Sequence, residues 1–279
     1  MADPPADAPS DRAADLLAAE LLDLAAAAAE EAAELLVAGL GRLRTSVGAK
    51  SSATDMVTEM DTASERLIVG RLLAARPDDA VLAEEGGEQP GRSGVRWVID
   101  PLDGTTNYLY GHPGFAVSIA AEIHGATAAA VVLDPLHGDL YRARRGGGAW
   151  RNRERLALRP PPPLAEALIA TGFAYLAERR ARQAAVLVGL LPEVRDIRRM
   201  GAAAVDLCSV ASGRVDGYYE AGLARWDLAA GALVAEEAGA VVSGLGGAEA
   251  GPAFIVAAPP GLHRALVNAL IAAGAAPEA

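Results

Sequence analysis

The chain has 279 residues, 52% of them apolar, and a formal net charge of −11 at pH 7, with a pI of about 4.9. That apolar share excludes global disorder, and so acidic a chain lacks the basic face that nucleic acid or an anionic lipid surface requires. A single cysteine, Cys208, excludes an internal disulfide and a cysteine-rich zinc site.

Residues 1–9 are expected to form a disordered tail without the pattern of a signal peptide, which places the protein in the cytoplasm. Ser10 is placed to N-cap a helix running to about Leu40, with Leu17, Leu21, Leu24, Ala28 and Leu35 as its apolar stripe and Gly39 and Gly41 at its end. Glu20, Asp23, Glu30, Glu31 and Glu34 interrupt that run, so it does not read as a membrane span. A second helix is predicted over 61–75, with Leu67, Ile68 and Leu72 inward and Pro77 as its stop.

Strands follow at 95–100, 115–123, 127–134 and 139–144, joined by short turns that suit antiparallel hairpins. Gly146-Gly147-Gly148 lacks the GxxxxGK[ST] pattern and reads as a hairpin turn rather than a phosphate loop. The prolines at 160–163 divide the chain into an N-terminal α+β half, 10–159, and a C-terminal α/β half, 164–279. In the second half, strands at 166–171, 215–219 and 253–257 alternate with helices at 175–191, 201–212, 226–238 and 262–273.

The most informative stretch is Trp97-Val98-Ile99-Asp100-Pro101-Leu102-Asp103-Gly104-Thr105-Thr106-Asn107. A buried strand delivers Asp100 at its end. Pro101 removes a donor and fixes φ, so the strand should break there. The turn can then bring Asp103 back beside Asp100, Gly104 relaxes the backbone, and Thr105 can cap a following helix. Two carboxylates, the Leu102 carbonyl and a hydroxyl crowd one turn, which is the oxygen-rich setting that Mg²⁺ or Mn²⁺ takes. Glu84-Glu85 also ends an apolar segment. Asp227 opens one predicted helix and Asp61 another, where each alone could be an N-cap.

Together these acids resemble a known pattern. Asp100-Pro101-Leu102-Asp103-Gly104-Thr105-Thr106-Asn107 is similar to the first signature of the inositol monophosphatase family of magnesium-dependent, lithium-sensitive phosphatases, and Trp226-Asp227-Leu228-Ala229-Ala230-Gly231 to the second. Glu84-Glu85 and Val57-Thr58-Glu59-Met60-Asp61 stand in the expected order before them, and the likeness runs from about residue 15 to 270. The resemblance implies a layered α-β-α-β-α sandwich, with an antiparallel sheet in the first half and a mixed one in the second. It also implies two or three Mg²⁺ per site, a small phosphomonoester substrate, and a homodimer.

Carried over by position, Glu84, Asp100, the Leu102 carbonyl and Thr105 would surround a first metal and the nucleophilic water, while Asp100, Asp103 and Asp227 would hold a second. Asp61 would orient the Thr105 hydroxyl, and the Gly104 and Thr105 amides would receive phosphate oxygens. Gly201, Ala202, Ala203 and Glu220 would line the alcohol side. Lys50, the only lysine among 25 basic residues, would approach the metal site from a loop leading to Asp61. The function implied is hydrolysis of myo-inositol monophosphate. Alternatives are a sister phosphatase acting on histidinol phosphate, fructose 1,6-bisphosphate or a 3′-phosphonucleotide, and a catalytically silent regulatory or binding protein on the same fold. His112, His124, His137 and His263 show no ligand spacing, Ser118 and Ser209 lack a nucleophile-elbow context, and Cys208 reads as core.

Overall fold

In the computed structural model, the structure describes residues 9–40, 47–49 and 56–277. Helix α1 (Pro9–Gly39) is followed by a short antiparallel pair, β1 (Val47–Ala49) and β2 (Met56–Thr58), and by α2 (Glu59–Ala75). An eight-stranded sheet then forms from β3 (Ala80–Ala83), β4 (Gly87–Gln89), β5 (Val95–Asp103), β6 (Ala116–Ile123), β7 (Ala126–Asp134), β8 (Asp139–Arg144), β9 (Gly148–Arg151) and β10 (Glu154–Arg155), with the short α3 (Thr105–Tyr110) between β5 and β6. Its order is β10-β9-β8-β7-β6-β5-β3-β4. The sheet is antiparallel except where β3 runs parallel to β5.

The second half builds a five-stranded mixed sheet from β11 (Leu168–Thr171), β12 (Asp196–Arg198), β13 (Gly217–Glu220), β14 (Val241–Ser243) and β15 (Ile255–Ala258), in the order β12-β11-β13-β15-β14. Its helices are α4 (Ala177–Leu190), α5 (Ala203–Ala211), α6 (Arg225–Glu237) and α7 (Pro260–Ala272).

Alternation along the strands sets the layers. Trp97, Ile99, Val117 and Ile119 pack with Leu21, Leu36, Ile68 and Leu72 of α1 and α2. The opposite-facing Val98, Ala116, Ala120, Ala130 and Val132 pack with Ala204, Cys208, Ala229, Ala230 and Val234 of α5 and α6. The far side of that helix pair, through Ala203, Leu207 and Leu228, covers Ala170, Tyr218 and Ala257 of the second sheet. Leu190, Leu262, Leu266 and Leu270 cover its other face. The result is the expected five-layer α-β-α-β-α sandwich. The abundance of alanine has a packing reason here, because small side chains on β6, β7, α5 and α6 let the helix pair approach the sheet closely.

Several element boundaries differ from expectation. Ser10 lies inside α1, and the fully buried face of that helix runs through Leu21, Ala25, Ala28, Ala32 and Leu36 rather than Leu35. Pro101 does not end its strand. β5 continues to Asp103 with a register shift between Asp100 and Asp103, a bulge that absorbs the missing donor. Thr105 is not an N-cap. Gly104 is, in a left-handed conformation at φ 89°, and Thr105 is the first helical residue. Asp227 and Asp61 are not N-caps either: each is the third residue of its helix, in the first turn of α6 and of α2. Among the described residues, no helix is long and apolar enough to cross a membrane.

Candidate active site

Three element ends meet at one cleft. The first is the β5 bulge and its turn into α3. Asp100 is 2% exposed and its Oδ1 accepts from the Leu102 N–H at 3.0 Å. Gly104 cannot carry a Cβ, since its φ is positive and the added atom would meet Gly114 O at 3.0 Å. The Thr105 hydroxyl lies 3.0 Å from Asp61 Oδ1 and 3.2 Å from the Leu102 carbonyl. Asn107 Nδ2 donates to Gly114 O at 2.7 Å and to Met200 O at 2.8 Å, tying this turn to the loop before α5.

The second end is the N-terminus of α5. Asp103 accepts there from the Ala203 N–H at 3.2 Å and from the Ala204 N–H at 2.7 Å. These two amides are orphan donors of the helix's first turn, and a carboxylate is the group they favour. The third end is the start of α6, where the Asp227 carboxylate accepts from the Ala224 N–H at 2.6 Å. Glu84 follows β3, and its own N–H donates to Ile99 O at 3.2 Å, which sets it beside β5.

Glu84, Asp100, Leu102, Asp103, Gly104, Thr105, Gly201, Ala202, Ala203, Glu220 and Asp227 all border one cavity of about 350 Å³. Asp61 is fully buried behind Thr105. Lys50 lies outside the described residues. Trp226 of the second signature borders the cavity too, and one further wall is made by residues that sequence reading missed: Gly172, Phe173, Tyr175, Arg179 and Arg199. No motif marks these positions. Gly172 follows β11, and a Cβ added to it would overlap the Glu220 carboxylate. Tyr218 OH donates to Glu220 Oε2 at 2.6 Å, so that tyrosine is both core and support for Glu220. None of the four histidines borders the cavity. Cys208 is buried and free, and Ser118 is fully buried.

The acids crowd one another. Withdrawal from water raises the Asp100 carboxyl well above its usual range, and the charges of Glu84, Asp103 and Asp227 raise it further. Asp103 is raised by burial and then by Asp227, against the lowering pull of the Ala204 N–H. Burial pushes Asp227 up to about 7, helped by Glu84 and Glu220. Glu220 is also pushed up to about 7 by burial, although Tyr218 and Arg199 pull it down. Four carboxylates arranged this way repel each other when ionised and are relieved by a cation. The donor set is hard oxygen, which suits Mg²⁺. Among the described residues, no group of three or more acids converges tightly enough to form a metal cage by itself.

A layered α/β sandwich with an acid-lined cleft, a glycine-turned bulge and a helix N-terminus opposite is the architecture of a phosphatase class. The sequence pattern of the inositol monophosphatase family matches residues 17–276, and the chain belongs to that family. It is 46% identical over 248 residues to the inositol-1-monophosphatase of Mycobacterium leprae, covering 85% of this chain and 84% of the relative. It is 42% identical over 225 residues to the Nus factor SuhB of Escherichia coli K12, covering 80% and 84%. The crystal structure of the extragenic suppressor protein suhB from Bartonella henselae superposes with a TM-score of 0.86 at 38% identity, covering 90% of this chain and 98% of that one.

Proposed function

We propose that the protein is a Mg²⁺-dependent phosphomonoester hydrolase whose substrate is myo-inositol monophosphate. The observation that carries this reading is the convergence of Glu84, Asp100, Asp103 and Asp227 on the cavity that Thr105 and Glu220 also border. Glu84, Asp100 and the Leu102 carbonyl would hold one cation, with Thr105 beside it and the nucleophilic water, and Asp100, Asp103 and Asp227 would hold a second. The chemistry Mg²⁺ supplies when bound is acidification of water and neutralisation of phosphate charge.

The chain's own groups do the rest. Phosphoryl transfer needs positioning and charge neutralisation more than covalent help. The Thr105 hydroxyl donates to Asp61, which leaves the Thr105 oxygen free to accept from a water and aim it. Glu84 takes the proton that this water loses. The Gly104 and Thr105 amides receive phosphate oxygens, and Ala203 at the α5 terminus lines the path of the leaving alcohol. Glu220 accepts hydrogen bonds from vicinal hydroxyls, with Tyr218 fixing its orientation. Lys50 supplies a compact cationic donor to water or phosphate, and the active protein is a cytoplasmic homodimer.

The deciding experiment measures phosphate release from myo-inositol monophosphate, histidinol phosphate, fructose 1,6-bisphosphate and a 3′-phosphonucleotide at millimolar Mg²⁺, with and without chelator. Highest kcat/KM on inositol monophosphate, abolished by chelation, is the expected result. A clear preference for histidinol phosphate would replace the substrate, and background activity on all four would favour a regulatory role. That second reading draws on the Escherichia coli relative's name, Nus factor. Against it, a silent site has no physical reason to retain four mutually repelling carboxylates.

A further inference from the structure

Helix α2 touches the cleft in more places than Asp61. Asp61, Ser64 and Glu65 lie at i, i+3 and i+4, so they share one face of the helix. Their exposures are 0%, 0% and 7%. Each holds a different piece of the site. Asp61 Oδ1 accepts from the Thr105 hydroxyl at 3.0 Å. Ser64 Oγ donates to the Pro101 carbonyl at 2.8 Å. Glu65 Oε2 accepts from the Glu85 N–H at 2.8 Å.

The last two contacts fall where the sheet itself offers least. Pro101 sits in the bulge between Asp100 and Asp103, where the β5–β6 ladder skips, and a buried carbonyl there needs a partner from elsewhere. The Glu84–Glu85 turn lies just beyond β3, between its ladder to β5 and its hairpin to β4. The Glu65 carboxylate also occupies the far side of this turn, because a Cβ on Gly86 would stand 2.7 Å from Glu65 Oε1.

We propose that Ser64 and Glu65 are positioning residues that, with Asp61, make one face of α2 the common mount for the Glu84 turn and the segment from Asp100 to Thr105. The mount fixes the spacing between these two sets of oxygens, and so the grip on the cation; the inference rests on the Mg²⁺-dependent phosphatase reading. Neither residue touches substrate. Partners that orient metal ligands from behind are worth about 10- to 100-fold in metal affinity or activity.

The test measures Mg²⁺ binding by calorimetry on substrate-free protein, alongside kcat, KM and the Mg²⁺ half-saturation of activity. Glu65→Ala and Ser64→Ala should weaken Mg²⁺ by about 10- to 100-fold and lower kcat, with KM for the phosphomonoester within about threefold. Glu65→Gln keeps an acceptor oxygen for the Glu85 N–H and should recover most of both. Gly86 is exposed and outside the left-handed region, so Gly86→Ala presses on the Glu65 carboxylate from the solvent side and should shift Mg²⁺ affinity in the same direction. A folded Glu65→Ala with wild-type Mg²⁺ affinity overturns the proposal, as does Glu65→Gln as damaged as Glu65→Ala. If Glu65→Ala does not fold, an unchanged Mg²⁺ affinity in Gly86→Ala overturns it. A wild type that binds Mg²⁺ but hydrolyses no phosphomonoester sinks the phosphatase reading instead, while the calorimetric comparison still judges the mount.

Discussion

The carboxylate of Glu220 fills the space that a Cβ on Gly172 would need. The ends of β11 and β13 are thus fitted to each other at one wall of the cleft. Gly172→Ala should displace Glu220 and raise KM for inositol monophosphate by about 10-fold or more, the scale of one charged hydrogen bond. Mg²⁺ half-saturation should stay at the wild-type value. Steady-state kinetics at two Mg²⁺ concentrations checks this, and an unchanged KM would remove Glu220 from alcohol recognition.

The charges of Glu84, Asp103 and Asp227 all act on Asp100. Asp100→Asn keeps the shape and removes one charge. Activity should fall by about 100- to 1000-fold, the scale of losing a central electrostatic group, while the metal-free thermal midpoint rises because the repulsion is relieved. Near-normal turnover would reassign the site.

The Thr105 hydroxyl is the only atom of that side chain able to bridge toward Asp61. Thr105→Ser retains the contact and should keep activity within about threefold, whereas Thr105→Val leaves a buried carboxylate short of a donor at a cost of about 1–3 kcal/mol and removes the water's acceptor. A fall in kcat for Val but not for Ser, with both proteins folded by circular dichroism, is the expected pattern.

The raised acids also dictate a pH dependence. Asp227 and Glu220 rise from 3.8 and 4.5 to about 7 in the folded protein, and Asp100 and Asp103 rise as well. Between those limits the folded state binds more protons than the unfolded one. The slope of stability against pH is therefore negative: stability is greatest below the unfolded values and is lost as pH rises through 7. Melting of chelated protein from pH 4.5 to 7.5 should show a falling midpoint, and millimolar Mg²⁺ should flatten the upper part of the curve. A midpoint that rises with pH in the absence of metal would contradict the burial of these groups.

Much of this site was legible in the sequence because its chemistry sits in contiguous turns. The stretch from Asp100 to Asn107 carries a proline, a glycine and two acids whose spacing reflects the bulge and the left-handed cap, although the strand was expected to stop at Pro101. Strands β6, β7 and β8 announced themselves through apolar runs and turn residues. Strands β9 and β10 did not, being only four and two residues long at one end of the sheet. Arg199, Gly172 and Phe173 were illegible for another reason: their roles arise only when β11, β12 and β13 lie side by side, a relation that no local pattern encodes. The mount on α2 was hidden similarly. Ser64 and Glu65 read as an ordinary polar pair until their partners, 37 and 20 residues away, come into view.

All nine residues of α5 are buried, with a sheet on each side. A helix with no water-facing side has nowhere to absorb a change of volume, and its first-turn amides hold Asp103 directly. Sequence drift in this protein should therefore concentrate on the outer helices α1, α4 and α7. A substitution anywhere along α5, even one facing away from the cleft, will register as a change in catalysis before it registers as a change in solubility.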